Sequence, residues 1–253
     1  MTLLAIDIGN TNTVLGMFDG DTLMRSWRVT THPRATADEI ALTFHGLLEG
    51  CEPATGIALC STVPSVLREM RSMLDRYFEN LPRVIVEPGT KTGVPILTDN
   101  PREVGADRIV NTMAAFHLYG GPSIVVDFGT STNLDCVSAN GEFVGGALAP
   151  GIEISLDALA ARAAQLRKVE LVPPRSPIGK NTVEALQSGA LYGFAGQVDG
   201  LVRRLSAELG DVQAVIATGG LAHIVVPESE TITHYDPDLT LVGLRLVYER
   251  NVP

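Results

Sequence analysis

A short run of small polar residues follows the first apolar segment of this chain. Asp7 ends that segment and is followed by Gly9, Asn10 and Thr11. A turn of this composition presents backbone N–H groups and hydroxyls to one small volume, which suits phosphate oxygens. The neighbouring carboxylate can hold a magnesium ion bound to those phosphates. The alternative is an Asx turn that only closes a hairpin, and a lone motif of this length does not exclude it.

A similar run occurs near the middle of the chain. Asp127 again ends an apolar segment and is followed by Gly129 and Thr130. Two such turns, one from each half of the chain, could hold one polyphosphate between them. A third feature places Gly219 and Gly220 at the end of a predicted strand, where the backbone can approach an adenine or a ribose closely. The three segments together predict a nucleotide site.

Alternating strand and helix patterns predict an α/β protein with two halves. Apolar runs predict strands at residues 3–8, 14–18, 22–29, 56–61, 84–86, 123–128 and 214–217. Amphipathic patterns predict helices at 37–48, 63–78, 101–119, 153–167 and 182–209, the last as one long helix or two abutting ones, with a terminal helix after Asp238. Because both halves begin with a strand that ends in Asp-x-Gly, we predict a duplicated domain. The predicted domains are residues 1–117 and 118–253.

The composition argues against several classes of protein. The 253 residues carry a net charge of −10, which disfavours nucleic acid and anionic membranes as partners. The three cysteines are scattered without a C-x-x-C pair, which argues against a disulfide scaffold or a zinc module. Neither a leader peptide nor a membrane-spanning run is evident, so we expect a cytoplasmic protein. The sequence also lacks the signatures of P-loop, dinucleotide-binding, serine hydrolase and zinc protease families.

The ordered set of motifs resembles the sugar kinase, Hsp70 and actin superfamily, and within it the type III pantothenate kinases over nearly the whole chain. Three segments are similar to its first phosphate, second phosphate and adenosine motifs: residues 7–11, 127–130 and 217–220. The most specific match is Asn-Pro-Arg-Glu-Val-Gly-Ala-Asp-Arg, which runs from Asn100 to Arg108. Further matches lie at residues 145–151, 178–182 and 237–241.

The resemblance implies a duplicated ribonuclease H-like fold, as in actin-like ATPases, with two mixed sheets flanked by helices. It implies a kinase that uses ATP to phosphorylate pantothenate in the first step of coenzyme A biosynthesis. Asp107 matches the general base of the family and would accept the proton of the pantothenate hydroxyl. Arg108 can pair with the pantothenate carboxylate. From spacing alone, Asp107 and Arg108 could equally form an ion pair on a helix surface.

The resemblance also assigns binding residues, cations and a partner. It assigns ATP binding to Asp7, Ile8, Gly9, Asn10, Thr11, Asn12, Thr13, Val14 and Thr130. It assigns substrate binding to Thr98, Gly105, Ala106, Asp107, Arg108 and Thr182. Asp127 would hold a monovalent cation, K⁺ or NH₄⁺, and Asp7 would hold Mg²⁺ together with ATP. The family is homodimeric with residues shared across the interface, so a homodimer is expected.

Two short stretches depart from the family pattern. Thr98 stands where many members carry a tyrosine that contacts substrate. Asn133 and Leu134 stand where threonine and phenylalanine are more usual. One alternative is therefore a weakly active or inactive relative with a regulatory or accessory scaffold role. Another alternative, a phosphatase or a different kinase on the same fold, would have no reason to keep residues 105–108 beside the ATP motifs.

Overall fold

The computed structural model describes residues 1–162 and 169–252, which form two compact units. The first unit comprises Met1–Gly93, Asn100–Ala114 and the residues from Thr240 onward. The second comprises Val94–Asp99 and the described residues of Ala115–Leu239. This division differs from the predicted domains 1–117 and 118–253, because the last helix packs in the core of the first unit and a short loop belongs to the second.

The chain contains ten strands and seven α-helices among its described residues. In chain order they are β1 (Thr2–Ile8), β2 (Asn12–Asp19), β3 (Thr22–Thr30), α1 (Ala37–Leu48), β4 (Gly56–Ser61), α2 (Pro64–Tyr77), β5 (Arg83–Ile85), α3 (Ala106–Tyr119), β6 (Ser123–Phe128), β7 (Ser131–Val137), β8 (Phe143–Pro150), α4 (Ile152–Arg162), α5 (Thr182–Leu209), β9 (Ala214–Thr218), α6 (Ala222–Val225), β10 (His234–Tyr235) and α7 (Leu239–Asn251). Short 3₁₀ turns lie at Pro101–Glu103 and Val226–Glu228.

The first unit is built on a five-stranded mixed sheet with the order β3-β2-β1-β4-β5. β1 lies at its centre, antiparallel to β2 and parallel to β4. One face of the sheet packs on α1 and α2, and Ile6 lies in that core. The other face carries Leu3 and Ala5 and packs on the first-unit part of α3 and on α7. Because side chains alternate along a strand, Asp7 lies on the same face as Leu3 and Ala5.

The second unit repeats this topology with a sheet of its own. Taken from its outer edge, the order is β8-β7-β6-β9-β10. The central strand β6 is antiparallel to β7 and parallel to β9, as β1 is to β2 and β4. One face of this sheet packs on α4, α5 and α6 around Phe128. The predicted duplication of an α/β fold is therefore confirmed.

Local sequence signals predicted the bounds of some helices correctly and of others wrongly. α1 begins as predicted, because Thr36 and Glu39 form a capping box at its N-terminus. The single helix predicted at 101–119 is wrong: a 3₁₀ turn comes first, Val104 is extended, and α3 begins at Ala106. The predicted end of the helix at 153–167 lies partly outside the described residues. Among the residues described, no helix is both long and apolar enough to span a membrane.

Candidate functional site

The turn after β1 is closed by its own backbone. The Gly9 N–H donates to the Asn12 carbonyl oxygen at 3.0 Å, and the Thr31 N–H donates to the Thr11 carbonyl oxygen at 2.9 Å. A Cβ added at Gly9 would lie 3.1 Å from the Asn12 carbonyl oxygen, so glycine suits this tight turn. Asn10 and Thr11 at the tip are exposed. The turn can therefore offer polar groups to a ligand that approaches from solvent.

Asp7, at the end of β1, lies among polar side chains from two other strands and one helix. Cys60 of β4 is its register partner, and the Cys60 thiol donates to Asp7 Oδ1 at 3.3 Å. Burial, and then the Asp107 carboxylate, raise the pKa of Asp7 to about 7. The Cys60 hydrogen bond and the Arg28 guanidinium lower this pKa, but by less. The site therefore concentrates negative charge that a bound cation would neutralise.

Asp107 lies in the first turn of α3, in the same unit as Asp7. Its Oδ1 accepts a hydrogen bond from the Arg108 backbone N–H at 2.9 Å. A Cβ at Gly105 would lie 2.5 Å from this oxygen, so glycine leaves the room that the carboxylate needs. Burial raises the pKa of Asp107. A half-buried carboxylate of this kind differs from one in a solvated ion pair on a helix surface, which was the alternative interpretation of Asp107 and Arg108.

Arg28 of β3 is a charged neighbour of the site that the sequence analysis missed. Val14 lies opposite Asp7 in the sheet, and Arg28 lies opposite Val14. Paired residues share a face, so Arg28 projects to the same side as Asp7. Its neighbours Trp27 and Val29 project to the other side, where they pack on the α1–α2 core. The alternation around Arg28 is the signal that could have identified this exposed guanidinium as facing the site.

Thr31, which follows β3, was also missed. Its hydroxyl donates to the Gly9 carbonyl oxygen at 2.8 Å and lies 2.9 Å from the Thr13 hydroxyl. Because a hydroxyl carries a single proton, the Thr13 hydroxyl must be the donor to Thr31. Thr31 and Thr13 are only 6% and 5% exposed. The Thr13 side chain therefore supports the turn, and its proton is not available to a phosphate.

In the second unit, Asp127 ends β6 beside backbone oxygens. A Cβ at Gly219 would lie 2.4 Å from Asp127 Oδ1 and 2.7 Å from the Phe128 carbonyl oxygen. A Cβ at Gly151 would lie 2.3 Å from the Thr130 carbonyl oxygen. Gly219 thus leaves space beside a carboxylate and a carbonyl oxygen, and Gly151 leaves space beside a second carbonyl oxygen. Oxygen donors of this kind suit a hard cation, including an alkali ion.

The other predicted residues are divided between the units. Ile8, Val14 and residues 105–108 belong to the first unit, whereas Thr98, Thr130 and Thr182 belong to the second. Thr130 and Thr182 are exposed. The Thr98 hydroxyl is buried and has no hydrogen-bond partner within the described part of the chain. Such an atom is unusual, and it marks Thr98 as a position that a ligand could complete.

Cations at these two turns would need ligands beyond acidic and histidine side chains. Within residues 1–162 and 169–252, no group of three or more His, Cys, Asp or Glu could hold a metal ion. Nucleotide-bound magnesium usually takes one or two protein carboxylates and completes its shell with phosphates and water, and Asp7 fits that pattern. Asp127 with its neighbouring carbonyl oxygens fits a larger monovalent cation better.

Several solved structures share this fold. The chain resembles the activator of 2-hydroxyisocaproyl-CoA dehydratase from Clostridium difficile, solved with bound ADPNP (TM-score 0.58, 12% identity, 99% of this chain and 96% of that chain). It also resembles the ROK hexokinase of Thermus thermophilus (TM-score 0.54, 17% identity, 100% and 99% covered). At these identities the likeness concerns the fold alone, and it confirms the predicted fold class.

Sequence comparison identifies the family to which the chain belongs. The model of the type III pantothenate kinase family matches residues 3–204. A relative from Frankia alni named type III pantothenate kinase is 71% identical over 250 residues, covering 99% of this chain and 100% of the relative. This chain therefore belongs to the type III pantothenate kinase family, as the motifs of the sequence predicted.

Proposed function

We propose that this chain transfers the γ-phosphoryl group of ATP to the primary hydroxyl of pantothenate, the reaction that opens coenzyme A biosynthesis. Family membership over nearly the whole chain supports this assignment. The observation that carries it is the pair Asp7 and Asp107. One carboxylate lies at the phosphate-type turn and the other at a helix start, close enough for Asp107 to raise the pKa of Asp7. A cytoplasmic location is part of the proposal, in keeping with three free cysteines.

Asp107 acts as the general base in this proposal. Its raised pKa makes it a stronger base than an exposed aspartate. The pantothenate hydroxyl oxygen attacks the γ-phosphorus, and the bond from that phosphorus to the β–γ bridging oxygen breaks. The hydroxyl proton passes to Asp107 and ADP departs. Because such transfer depends on positioning and charge neutralisation, the surrounding polar groups carry the rest of the catalysis.

The turn after β1 binds the ATP phosphates. Its exposed tip, at Asn10 and Thr11, presents polar groups suited to phosphate oxygens, and the Thr13 side chain supports the turn. Asp7 would hold Mg²⁺, which neutralises phosphate charge when bound. The Arg28 guanidinium, on the same face as Asp7, adds positive charge for the same anion. Thr130 of the second unit contributes a further ATP contact.

Pantothenate is held by its carboxylate and by its amide and hydroxyl groups. Arg108 is the proposed partner of the carboxylate, since a guanidinium matches it in a bidentate manner. Gly105 and Ala106 bring the backbone close to the substrate beside Asp107. Thr98 and Thr182 supply hydroxyls, and the buried Thr98 hydroxyl gains in this way the partner that the described residues do not provide.

The proposal also includes a monovalent cation at Asp127 and a homodimer. β8 is the edge strand of the second sheet, and Leu148 on it is 67% exposed. Ile154 and Ile178 of the same unit are also exposed. Exposed apolar side chains on and after an edge strand favour coverage by a second copy of the chain. Sedimentation equilibrium at micromolar concentration should give the mass of two chains, and the mass of one would contradict the dimer.

The reaction is tested by pantothenate-dependent ADP release with Mg·ATP and K⁺. The wild type should release ADP only when pantothenate is present. Asp107→Asn should lower kcat by about 10²–10⁴, the range for a general base, and should still bind ATP. Asp19→Asn, an exposed aspartate at the far end of β2, is the matched control and should keep full activity. A wild-type rate for Asp107→Asn would remove the base assignment, and no release by folded wild-type protein would favour the scaffold alternative.

A further inference from the structure

Asn133 is a buried polar residue that the proposed reaction leaves without a role. It lies on β7, directly opposite Asp127 of β6 in the antiparallel register. Directly opposite residues share a face, with Cβ atoms about 4.5–5.5 Å apart. Asn133 is 8% exposed, and its Oδ1 is buried without a hydrogen-bond partner in the described residues. Because an unpartnered buried amide oxygen is costly, it points to a ligand that completes it.

The two faces of β7 separate Asn133 from its neighbour Thr132. Thr132 also has a buried hydroxyl without a partner among the described residues, but it lies opposite Phe128, which belongs to the apolar core. Asn133 therefore projects to the other face. On that face Asp127 is also paired with Thr218 of β9. An amide oxygen, a carboxylate and a hydroxyl thus stand side by side at the end of β6.

We propose that Asn133 Oδ1 is a ligand of the monovalent cation held by Asp127. The inference rests on the proposed function in so far as that cation belongs to it. A neutral amide oxygen adds a ligand without adding charge, and the Phe128 carbonyl oxygen near Asp127 is also neutral. A ligand without charge beside the Asp127 carboxylate leaves the negative charge at this position unchanged, which suits a cation of low charge. The departure of Asn133 from the family pattern then preserves an oxygen at this position.

The test measures cation binding without ATP or pantothenate. Thermal melting of the full chain is followed as KCl replaces tetramethylammonium chloride at constant ionic strength, and thallium(I) NMR reports the bound ion directly. Asn133→Val should raise the K⁺ concentration for half-maximal stabilisation at least about tenfold, the factor that corresponds to one lost ligand of moderate strength. Asn133→Thr, which keeps a side-chain oxygen, should stay within about threefold of the wild type.

A second measurement separates this role from a purely structural one. Without K⁺, Asn133→Val should melt at or above the wild-type temperature, because the variant no longer buries an unpartnered amide. Thr132→Val is the matched control and should keep the wild-type response to K⁺. Asn133→Leu, closer to asparagine in volume, replaces the valine variant if that variant fails to fold.

The outcomes for this inference and for the kinase assignment are independent. A wild-type K⁺ response in the apolar variant would overturn the role of Asn133, as would a wild-type protein that binds neither K⁺ nor thallium(I). Pantothenate-dependent ADP release is measured separately at saturating K⁺. If release is absent while K⁺ binding depends on Asn133, the kinase assignment fails and the cation ligand stands.

Discussion

The two units carry the same sheet, yet the aspartate that ends each central strand lies in different surroundings. In the first unit, the register row that contains the aspartate consists of Arg28, Val14, Asp7 and Cys60. In the second unit, the equivalent row consists of Leu148, Asn133, Asp127 and Thr218. The duplicated scaffold therefore fixes where an aspartate lies, and its neighbours on the adjoining strands determine what it can bind.

The neighbours differ most in charge. Asp7 has a second carboxylate nearby, Asp107, which helps to raise its pKa to about 7. Asp127 lies beside carbonyl oxygens and, in its row, beside the uncharged Asn133. A second carboxylate beside the first favours a divalent cation with phosphates, whereas an uncharged partner in the row suits a cation of lower charge. Under the proposed function, the same strand end would hold magnesium with ATP in one unit and a monovalent cation in the other.

The largest expected effect comes from removing each aspartate in turn. Asp7→Asn should lower kcat/KM about 10³-fold, because it removes charge next to the transferred phosphoryl group. Asp127→Asn should lower it only about tenfold at saturating K⁺, since the lost ion acts through binding. Steady-state kinetics with both substrates varied would measure the difference. Equal losses in the two variants would show that the two turns do not differ in function.

A second, smaller effect is the one that the Asp7 carboxyl group has on the stability of the protein without nucleotide, which should depend on pH. The pKa of Asp7 is raised from an ordinary 3.8 to about 7, so between these values the folded state binds more protons than the unfolded state. Its contribution to the free energy of unfolding therefore falls as pH rises through this window, by at most about 1.4 kcal/mol per pH unit. Above pH 7 the charged, crowded carboxylate is a net cost.

Thermal melting of the wild type and of Asp7→Asn at pH 5 and pH 8 would measure this pH dependence of stability. The variant should gain stability relative to the wild type at pH 8, by about 1 kcal/mol or more, and should gain less at pH 5. Asp19→Asn serves as control, because its carboxylate is exposed and lies at the opposite end of the β1–β2 pair from Asp7. A pH-independent difference for Asp7→Asn would show that Asp7 titrates as an ordinary aspartate.

The sequence predicted the parts of this molecule that depend on local signals. The polar turn after Asp7, the capped helix α1 and the repeated Asp-x-Gly all follow from neighbouring residues. Residues 182–209 were predicted to be helical, as one helix or two abutting ones, and the structure has the single helix α5, Thr182–Leu209. The family motifs assigned Asp107 as the general base. Spacing alone could not distinguish that role from a surface ion pair between Asp107 and Arg108.

The residues that sequence reasoning missed act through pairing between distant segments. Cys60 reaches Asp7 only because β4 lies parallel to β1 in a particular register. Arg28 reaches the same face through two successive strand pairings. The start of α3 was misplaced because the extended backbone at Val104 interrupts a segment whose apolar spacing is helical throughout. Registers of this kind are set by the whole sheet, so no short window of sequence contains them.

The smallest expected effect concerns Thr31, which supports the first turn without touching a ligand. Thr31→Val removes its hydroxyl bonds to Gly9 and Thr13 while nearly preserving volume. The unfolding free energy should fall by about 1–2 kcal/mol, and KM for Mg·ATP should rise several-fold, about 3–10 times. KM for pantothenate should hardly change, because the hydrogen bonds of Thr31 go to the turn after β1. Thr31→Ser, which keeps the hydroxyl, should restore most of the ATP affinity.

Thr90→Val is the matched control for this experiment. Its hydroxyl likewise fixes a turn of the first unit, donating to the Ile85 carbonyl oxygen at 3.1 Å and accepting from the Glu87 N–H at 3.1 Å. It should lose stability without changing KM for Mg·ATP. If Thr31→Val behaves like Thr90→Val, the hydroxyl of Thr31 contributes to folding alone. If only Thr31→Val weakens ATP use, the turn after β1 depends on the Thr31 hydroxyl for the shape in which it binds ATP.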